Sequence, residues 1–112
     1  MKVDYLKAFS DNYMWIIELD ESFAIVDPGD ARPVHEYIDR TGYRLSEILI
    51  THHHWDHTGG LEELIDKYKC PAYGPSGGHI KGVNYPLKDQ ECFNVLGSLK
   101  FRSIYAPGHT ND

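Results

Sequence analysis

Residues 52–57 read His-His-His-Trp-Asp-His and hold four of the seven histidines of this 112-residue chain, together with one carboxylate. The segment lies mid-chain, directly after the apolar run Ile48-Leu49-Ile50, so it is not a terminal tag. Histidine is only moderately tolerated in protein cores, and a carboxylate buried beside several imidazoles needs a partner. A divalent metal ion is the natural partner, since imidazole nitrogens and carboxylate oxygens are ligands that zinc takes. The sequence therefore predicts a metal-binding loop that follows a buried strand.

The spacing of this segment indicates which side chains share a face. If the backbone stays extended, side chains alternate between two faces, which places His52, His54 and Asp56 together. A helical pattern starts after Gly59-Gly60, and the turn into that helix can bring His57 to the same side. Four ligands are too many for one tetrahedral ion that keeps an open position, so we favour two ions about 3.5–4 Å apart. A purely structural metal site is the alternative, although such sites are usually rich in cysteine and closed.

Four ordered motifs resemble one family. The string His52-x-His54-x-Asp56-His57, with Trp55 inside it and Thr-Gly-Gly after it, resembles the signature of glyoxalase II, the hydroxyacylglutathione hydrolases of the metallo-β-lactamase superfamily. Three further segments resemble the same family in the same order: Ser-Asp-Asn-Tyr-Met-Trp-Ile-Ile at 10–17, Ala-Ile-Val-Asp-Pro-Gly-Asp-Ala at 24–31 and Ala-Pro-Gly-His-Thr at 106–110. The resemblance thus covers essentially the whole chain.

The resemblance also implies the roles of individual residues. It implies five metal ligands: His52, His54 and His109 for the first ion, and Asp56 and His57 for the second. No catalytic residue is implied beyond these ligands, because metal-bound hydroxide would be the nucleophile. Asp27 would be an acid at a strand end that steadies the histidine loop. A simple turn former before Pro28 is the alternative interpretation of Asp27.

The function implied by the resemblance is thioester hydrolysis, in which S-lactoylglutathione or a related 2-hydroxyacyl-glutathione would give D-lactate, or the related hydroxy acid, and glutathione. Zinc lowers the pKa of bound water to about 7, and a thiol of pKa about 8.5 can leave without a general acid. The expected cofactors are two divalent metal ions, zinc in the first place, with iron or manganese as alternatives. Three other functions stay open: another hydrolase of the superfamily (a lactonase or β-lactamase type), a mononuclear iron persulfide dioxygenase, and a non-catalytic metal-binding fragment.

Two ligands of the family lie beyond the Gly-His-Thr segment, a bridging aspartate and one further histidine, whereas this sequence stops at Asp112. The family's glutathione-holding residues lie there too. We therefore expect residues 1–112 to be a single incomplete metallo-β-lactamase-like domain, its carboxy-terminal half absent, that is inactive alone and binds metal weakly and below stoichiometry. About two metals per chain would indicate the binuclear hydrolase, and one iron the oxygenase.

Composition excludes several other classes of function. The net charge of −6 disfavours nucleic acid as a partner, and no apolar run approaches the ~20 residues of a membrane span. The first residues lack the apolar stretch of a signal peptide, and Cys70 and Cys92 form no Cys-x-x-Cys pattern. We therefore expect a cytoplasmic protein, monomeric, whose partner is a small-molecule glutathione thioester.

Strand and helix patterns alternate along the chain, which predicts an α/β fold: the amino-terminal half of an αβ/βα sandwich, a mixed sheet with flanking helices. A helix is expected to open at Pro33 and end at Gly42, and a strand over 47–51 leads into the metal loop. A second helix follows the glycines at 59 and 60. Trp15 is expected to be a core aromatic, and His35 a surface residue of the first helix.

Overall fold

The computed structural model describes residues 1–8, 12–51, 60–75 and 82–103. Eight strands and two helices are present there: β1 (Lys2–Ala8), β2 (Asn12–Leu19), β3 (Ser22–Val26), α1 (Ala31–Thr41), β4 (Arg44–Leu49), α2 (Leu61–Tyr68), β5 (Ala72–Pro75), β6 (Tyr85–Leu87), β7 (Cys92–Val95) and β8 (Leu99–Arg102). Strands β1 to β6 form one sheet in sequence order, and β7 and β8 form a separate two-stranded ribbon.

The main sheet is mixed, and its direction changes at β3. Strands β1, β2 and β3 pair antiparallel, whereas β3, β4, β5 and β6 run parallel to one another. Parallel strands need crossover connections, and α1 supplies the one between β3 and β4 while α2 precedes β5. The carboxyl ends of β3 to β6 therefore share one edge of the sheet, which we call the carboxyl edge. Thr51, directly before the histidine-rich segment, lies at this edge.

Each face of the sheet has its own hydrophobic core. Side chains alternate along β2, so that Met14 and Ile16 face the helices while Ile17 faces the ribbon. The helix side buries these side chains: Phe23, Ile25 and Ile48 of the sheet against Val34, Tyr37, Leu61 and Leu64 of the helices. The ribbon side buries Ala24 and Leu49 beneath Val95. The layers are helix, sheet and ribbon, which confirms the predicted α/β fold with a mixed sheet.

The limits of α1 follow from its caps. The helix begins at Ala31, two residues before the predicted start at Pro33, because the carboxylate of Asp30 accepts a hydrogen bond from the Arg32 backbone N–H at 3.0 Å. It ends as predicted at Gly42, which has a φ of 74°. Neither helix in the described part of the chain is long and apolar enough to cross a membrane.

Two other expectations need correction. Strand β4 spans 44–49 rather than 47–51, because its pairing with β3 already begins at the Ser22–Arg44 pair. Trp15 is 47% exposed and is not a core residue. Its ring lies on the ribbon face of β2, where it packs edge-on against Tyr5 with ring centroids 5.8 Å apart. The buried part of this face lies further along the sheet, around Ala24, Leu49 and Val95.

Candidate metal centre

All five expected metal ligands lie outside the described residues: His52, His54, Asp56, His57 and His109. Among the residues that are described, no three histidine, cysteine or acidic side chains come together as a possible metal site. The structure does describe both ends of residues 52–59, which we call the histidine segment, and it shows what each end contacts.

The amino-terminal end of the histidine segment is held by Asp27. The Asp27 carboxylate accepts two hydrogen bonds from Thr51, one from the backbone N–H at 2.7 Å and one from the side-chain hydroxyl at 2.5 Å. Thr51 is the residue directly before His52. Hydrogen bonds to a charged acceptor are about twice as strong as neutral ones. The carboxylate therefore fixes where the histidine segment begins, as the family resemblance implied for this acid.

The backbone at Asp27 explains why an acid occurs there. Its φ of 53° lies in the left-handed region, which aspartate and asparagine tolerate better than most residues do. Its own N–H donates to the carbonyl oxygen of Leu49 at 2.8 Å, so β3 stays paired with β4 up to this turn. The side chain is 7% exposed. A short acid here can turn the chain and still reach Thr51, so both interpretations given for Asp27 apply.

The carboxy-terminal end of the histidine segment is held against the same turn. The N–H of Gly60 donates to the carbonyl oxygen of Pro28 at 2.8 Å. A Cβ atom on Gly60 would lie 2.7 Å from the backbone nitrogen of Ala31 and 3.0 Å from the carbonyl carbon of Asp30. Both of those atoms belong to the backbone and cannot rotate away. Glycine is therefore required for this close approach.

Residues 27–30, which we call the anchor turn, thus contact both ends of the histidine segment. Asp27 binds Thr51 and Pro28 binds Gly60, and the eight residues between those two ends carry four of the expected ligands. The turn follows β3 and lies at the carboxyl edge. In open α/β sheets, ligands bind in the crevice outside the carboxyl ends of the strands. The described structure therefore holds the histidine segment at the edge where such sites occur.

The Asp30 carboxylate of the anchor turn forms an ion pair. The guanidinium of Arg32 lies 2.9 Å from the carboxylate of Asp30, and this hydrogen bond holds the pKa of Asp30 below its ordinary value. Asp30 therefore stays ionised as the N-cap of α1, where a negative charge also complements the helix dipole. The first turn of α2 carries Glu62 and Glu63, which complement the dipole of that helix in the same way.

The donor set of the histidine segment fits a divalent metal ion on chemical grounds. Imidazole nitrogens and a carboxylate oxygen bind zinc, and manganese and iron accept the same atoms. The two ends are fixed by rigid elements, and binding sites are more precise when the residues that carry them are supported in this way. Such a centre activates water for attack on a carbonyl carbon.

Sequence reasoning missed three features of the site region. Thr51 and Gly60 were not recognised as anchors, although the position of each, directly outside the histidine segment, was a signal. We expected His35 to be a surface residue, but its side chain is partly buried and forms hydrogen bonds with Glu63 and Tyr68 of α2. His35 lies one helical turn after Ala31 and three residues before Ile38, and both of these residues pack in or against the core. This spacing places His35 beside the inner face of α1 and could have indicated a contact with another element.

Comparisons with known proteins agree with this picture. The sequence model of the metallo-beta-lactamase superfamily matches residues 9–111. Curated proteins named hydroxyacylglutathione hydrolase are similar: the one from Idiomarina loihiensis is 40% identical over 100% of this chain, and the one from Alkalilimnicola ehrlichii is 47% identical over 94%. The chain spans only 45% and 42% of the length of those two relatives.

Solved structures show the same fold at low sequence identity. The B3 metallo-beta-lactamase BLEG-1 superposes with a TM-score of 0.81 at 19% identity, covering 97% of this chain and 63% of that one. ETHE1 from Myxococcus xanthus superposes with a TM-score of 0.75 at 21% identity, covering 91% of this chain and 47% of that one. The layers around the anchor turn, the histidine signature and the match over residues 9–111 lead to one conclusion. This chain belongs to the metallo-β-lactamase superfamily.

Proposed function

We propose that this chain carries the metal centre of a hydrolase that cleaves 2-hydroxyacyl-glutathione thioesters, with S-lactoylglutathione as the first substrate to test. One structural observation carries the proposal: the anchor turn holds both ends of the histidine segment at the carboxyl edge of the sheet. The choice of substrate rests on the curated relatives, which are named hydroxyacylglutathione hydrolases at 40–47% identity.

We assign the ligands as the family resemblance does. His52, His54 and His109 hold the first ion, and Asp56 and His57 hold the second. Zinc is proposed for both positions. An ion bound there supplies water of lowered pKa and polarises a carbonyl oxygen. The contribution of the described residues is to hold the segment that carries these ligands, through the contacts of Thr51 and Gly60 with the anchor turn.

A thioester suits the groups that the chain offers. Its leaving thiol has an ordinary pKa of about 8.5 and departs as a thiolate, so no general acid is needed. Attack by a cysteine of the described part is not supported, because burial raises the pKa of Cys70 to about 11 and keeps it a thiol at neutral pH. Cys92 lies on the exposed side of the ribbon strand β7. Direct attack by water is therefore the mechanism we propose.

Three wider proposals accompany this function. We propose that residues 1–112 belong to one domain, whose remainder the family resemblance places after the Gly-His-Thr segment. We also propose a cytoplasmic location, because both cysteines are free thiols and reduced thiols are typical of that compartment. The monomeric state stays a prediction. Finally, we propose a small-molecule partner rather than nucleic acid, because the net charge is −6.

Metal binding can be tested with Co²⁺ as a spectroscopic probe. The chain is titrated with Co²⁺ beside the variants His54→Ala and Asp56→Asn, and beside His79→Ala as a control outside the ligand set. We expect weak binding by the chain alone, lost in both ligand variants and retained in the control. Equal binding by the chain and by the two ligand variants would contradict the assigned site.

The substrate class requires a separate assay. The protein that carries this sequence is loaded with Zn²⁺ and offered S-lactoylglutathione, a simple lactone and a β-lactam in parallel, with release of free thiol measured for the first. We expect the thioester to be hydrolysed in preference to the other two. Preference for the lactone or the β-lactam would leave a superfamily hydrolase but contradict the proposed substrate.

A further inference from the structure

His35 joins α1, the helix that leaves the anchor turn, to α2, the helix that follows the histidine segment. Its Nδ1 lies 2.7 Å from the hydroxyl of Tyr68, and its Nε2 lies 2.7 Å from a carboxylate oxygen of Glu63. Glu63 lies in the first turn of α2 and Tyr68 is the last residue of that helix. One side chain of α1 therefore contacts α2 near both of its ends. We call these three residues the interhelix clamp.

The clamp keeps both hydrogen bonds in either charge state of the imidazole. An ionised Glu63 only accepts, so Nε2 carries a hydrogen. In a neutral ring Nδ1 accepts from the Tyr68 hydroxyl, and in a cationic ring Nδ1–H donates to the same oxygen. Burial raises the pKa of Tyr68, and the carboxylates of Asp39 and Glu63 raise it further, so the phenol keeps its hydrogen. The contact with Tyr68 therefore needs no particular charge state of the imidazole.

The strength of the ion pair is not what makes the clamp useful. The side chain of Glu63 is 63% exposed, and exposed ion pairs contribute little to stability. The His35 side chain, by contrast, is only 20% exposed and lies beside the ring of Tyr68, with centroids 5.5 Å apart. These two directional bonds add to the core packing of Leu61 and Leu64 and restrict the rotation of α2 relative to α1.

The position of α2 bears directly on the histidine segment. Gly60 is bound to the anchor turn and Leu61 begins the helix, so the end of the segment and the start of α2 are consecutive residues. The carbonyl oxygen of Gly60 accepts from the N–H of Leu64 at 3.1 Å, which ties Gly60 to the first helical turn. A shift of α2 would therefore displace Gly60 from Pro28.

We propose that His35 is a positioning residue for the metal centre, acting through Glu63 and Tyr68 on the end of the histidine segment that carries Asp56 and His57. The metal part of this inference rests on the proposed function. His35 touches no substrate and binds no metal in this scheme. It holds α2 so that Gly60 keeps its place on the anchor turn.

Amide hydrogen exchange of the metal-free chain tests the first step. His35→Phe keeps the ring volume and removes both bonds, and Tyr68→Phe removes only one, which provides a second variant if the first does not fold. Asp66→Asn removes an exposed carboxylate of the same helix and serves as the control. We expect the Gly60 amide to exchange about tenfold faster in His35→Phe, as for the loss of one or two ordinary hydrogen bonds. The amides of Ile50 and Thr51 should be unchanged.

Co²⁺ titration of the same proteins tests the second step. We expect binding by His35→Phe to weaken about tenfold, the lower end of what is lost when outer partners of metal ligands are removed, with Asp66→Asn like the parent chain. Faster exchange by the same factor at Ile50 and Gly60 would overturn the proposal and leave a purely structural role. Selective exchange with unchanged Co²⁺ affinity would also overturn it. Absence of Co²⁺ binding by the protein that carries this sequence would instead overturn the proposed function, and the exchange result would still decide whether the clamp holds Gly60.

Discussion

Replacing Asp27 tests how strongly the anchor turn holds the histidine segment. We expect Asp27→Ala to lower the free energy of unfolding by about 4 kcal/mol. The two hydrogen bonds from Thr51 to the buried carboxylate account for roughly 1.5 kcal/mol each, the lower end for a charged acceptor, because Thr51 is itself exposed. The left-handed backbone at φ 53° adds about 1 kcal/mol, because alanine tolerates it poorly.

Two further variants separate the charge from the backbone term. Asp27→Asn keeps a residue that tolerates the left-handed region, and its amide can accept from the Thr51 N–H and donate to the Thr51 hydroxyl oxygen. Only the negative charge is lost, so we expect a cost of about 1 kcal/mol. Thr51→Val removes the hydroxyl and leaves the backbone bond, and we expect it to cost roughly 1.5 kcal/mol.

Urea unfolding followed by circular dichroism measures these differences, provided that the slope of the free energy against urea is the same in all variants. We expect the order Asp27→Ala, then Thr51→Val, then Asp27→Asn, from most to least destabilised. A decrease of only about 1 kcal/mol in the free energy of unfolding of Asp27→Ala would mean that the left-handed backbone contributes and the two hydrogen bonds do not. Equal costs for the alanine and asparagine variants would show that the geometry at Thr51 cannot be held without the charge, and would refute the separation made here.

Three other predictions concern groups around the same fold. Gly60→Ala should cost about 2–3 kcal/mol in urea unfolding, since its Cβ would lie 2.7 Å from the backbone nitrogen of Ala31. Burial raises the pKa of Glu47 above its ordinary 4.5, so ionisation opposes folding. Parent stability should therefore fall as the pH rises above about 4.5, and this fall should be absent in Glu47→Gln. A thiol reagent should label Cys92 rapidly at about pH 8, whereas Cys70, with a pKa of about 11, should react only after unfolding; labelling of both in the folded chain would contradict its burial.

The sequence predicted the elements well wherever a residue pattern is repeated over a whole strand or helix. Met14 and Ile16 alternate with Ile17 along β2, and the side chains on the two faces of this strand pack in two different hydrophobic cores. Gly42 marked the end of α1 because the left-handed conformation there favours glycine. The start of α1 was placed too late because a proline at the third helical position was taken for the first. Trp15 was placed in the core because large aromatic side chains are often buried, but residue type does not show which part of a sheet face is covered.

The ligand assignment stays a prediction, and the structure adds the contacts beside it. The proposed ligand types and their spacing are local properties of residues 52–57, so they can be read from the sequence alone. The anchors are contacts between distant positions: Asp27 reaches 24 residues along the chain to Thr51, and Gly60 meets Pro28. A pattern of neighbouring residues does not show which distant residues will be in contact. The clamp formed by His35 was missed for the same reason, since Glu63 lies 28 residues away on another helix.

These distant contacts bear on how a short segment could hold the four ligands proposed for it. Closing a flexible loop and ordering its side chains around an ion both cost conformational entropy, and that cost reduces the affinity for the ion. With Thr51 and Gly60 already bound to one turn, the ends of the histidine segment are closed before any ion arrives. Metal binding then does not have to bring the two ends of the segment together. A variant that frees either end should therefore weaken metal binding more than its loss of global stability accounts for. In Asp27→Ala and in Gly60→Ala, the loss of metal affinity is compared with the loss of free energy of unfolding. A larger loss of affinity indicates support of the metal site, and equal losses indicate general stabilisation of the fold.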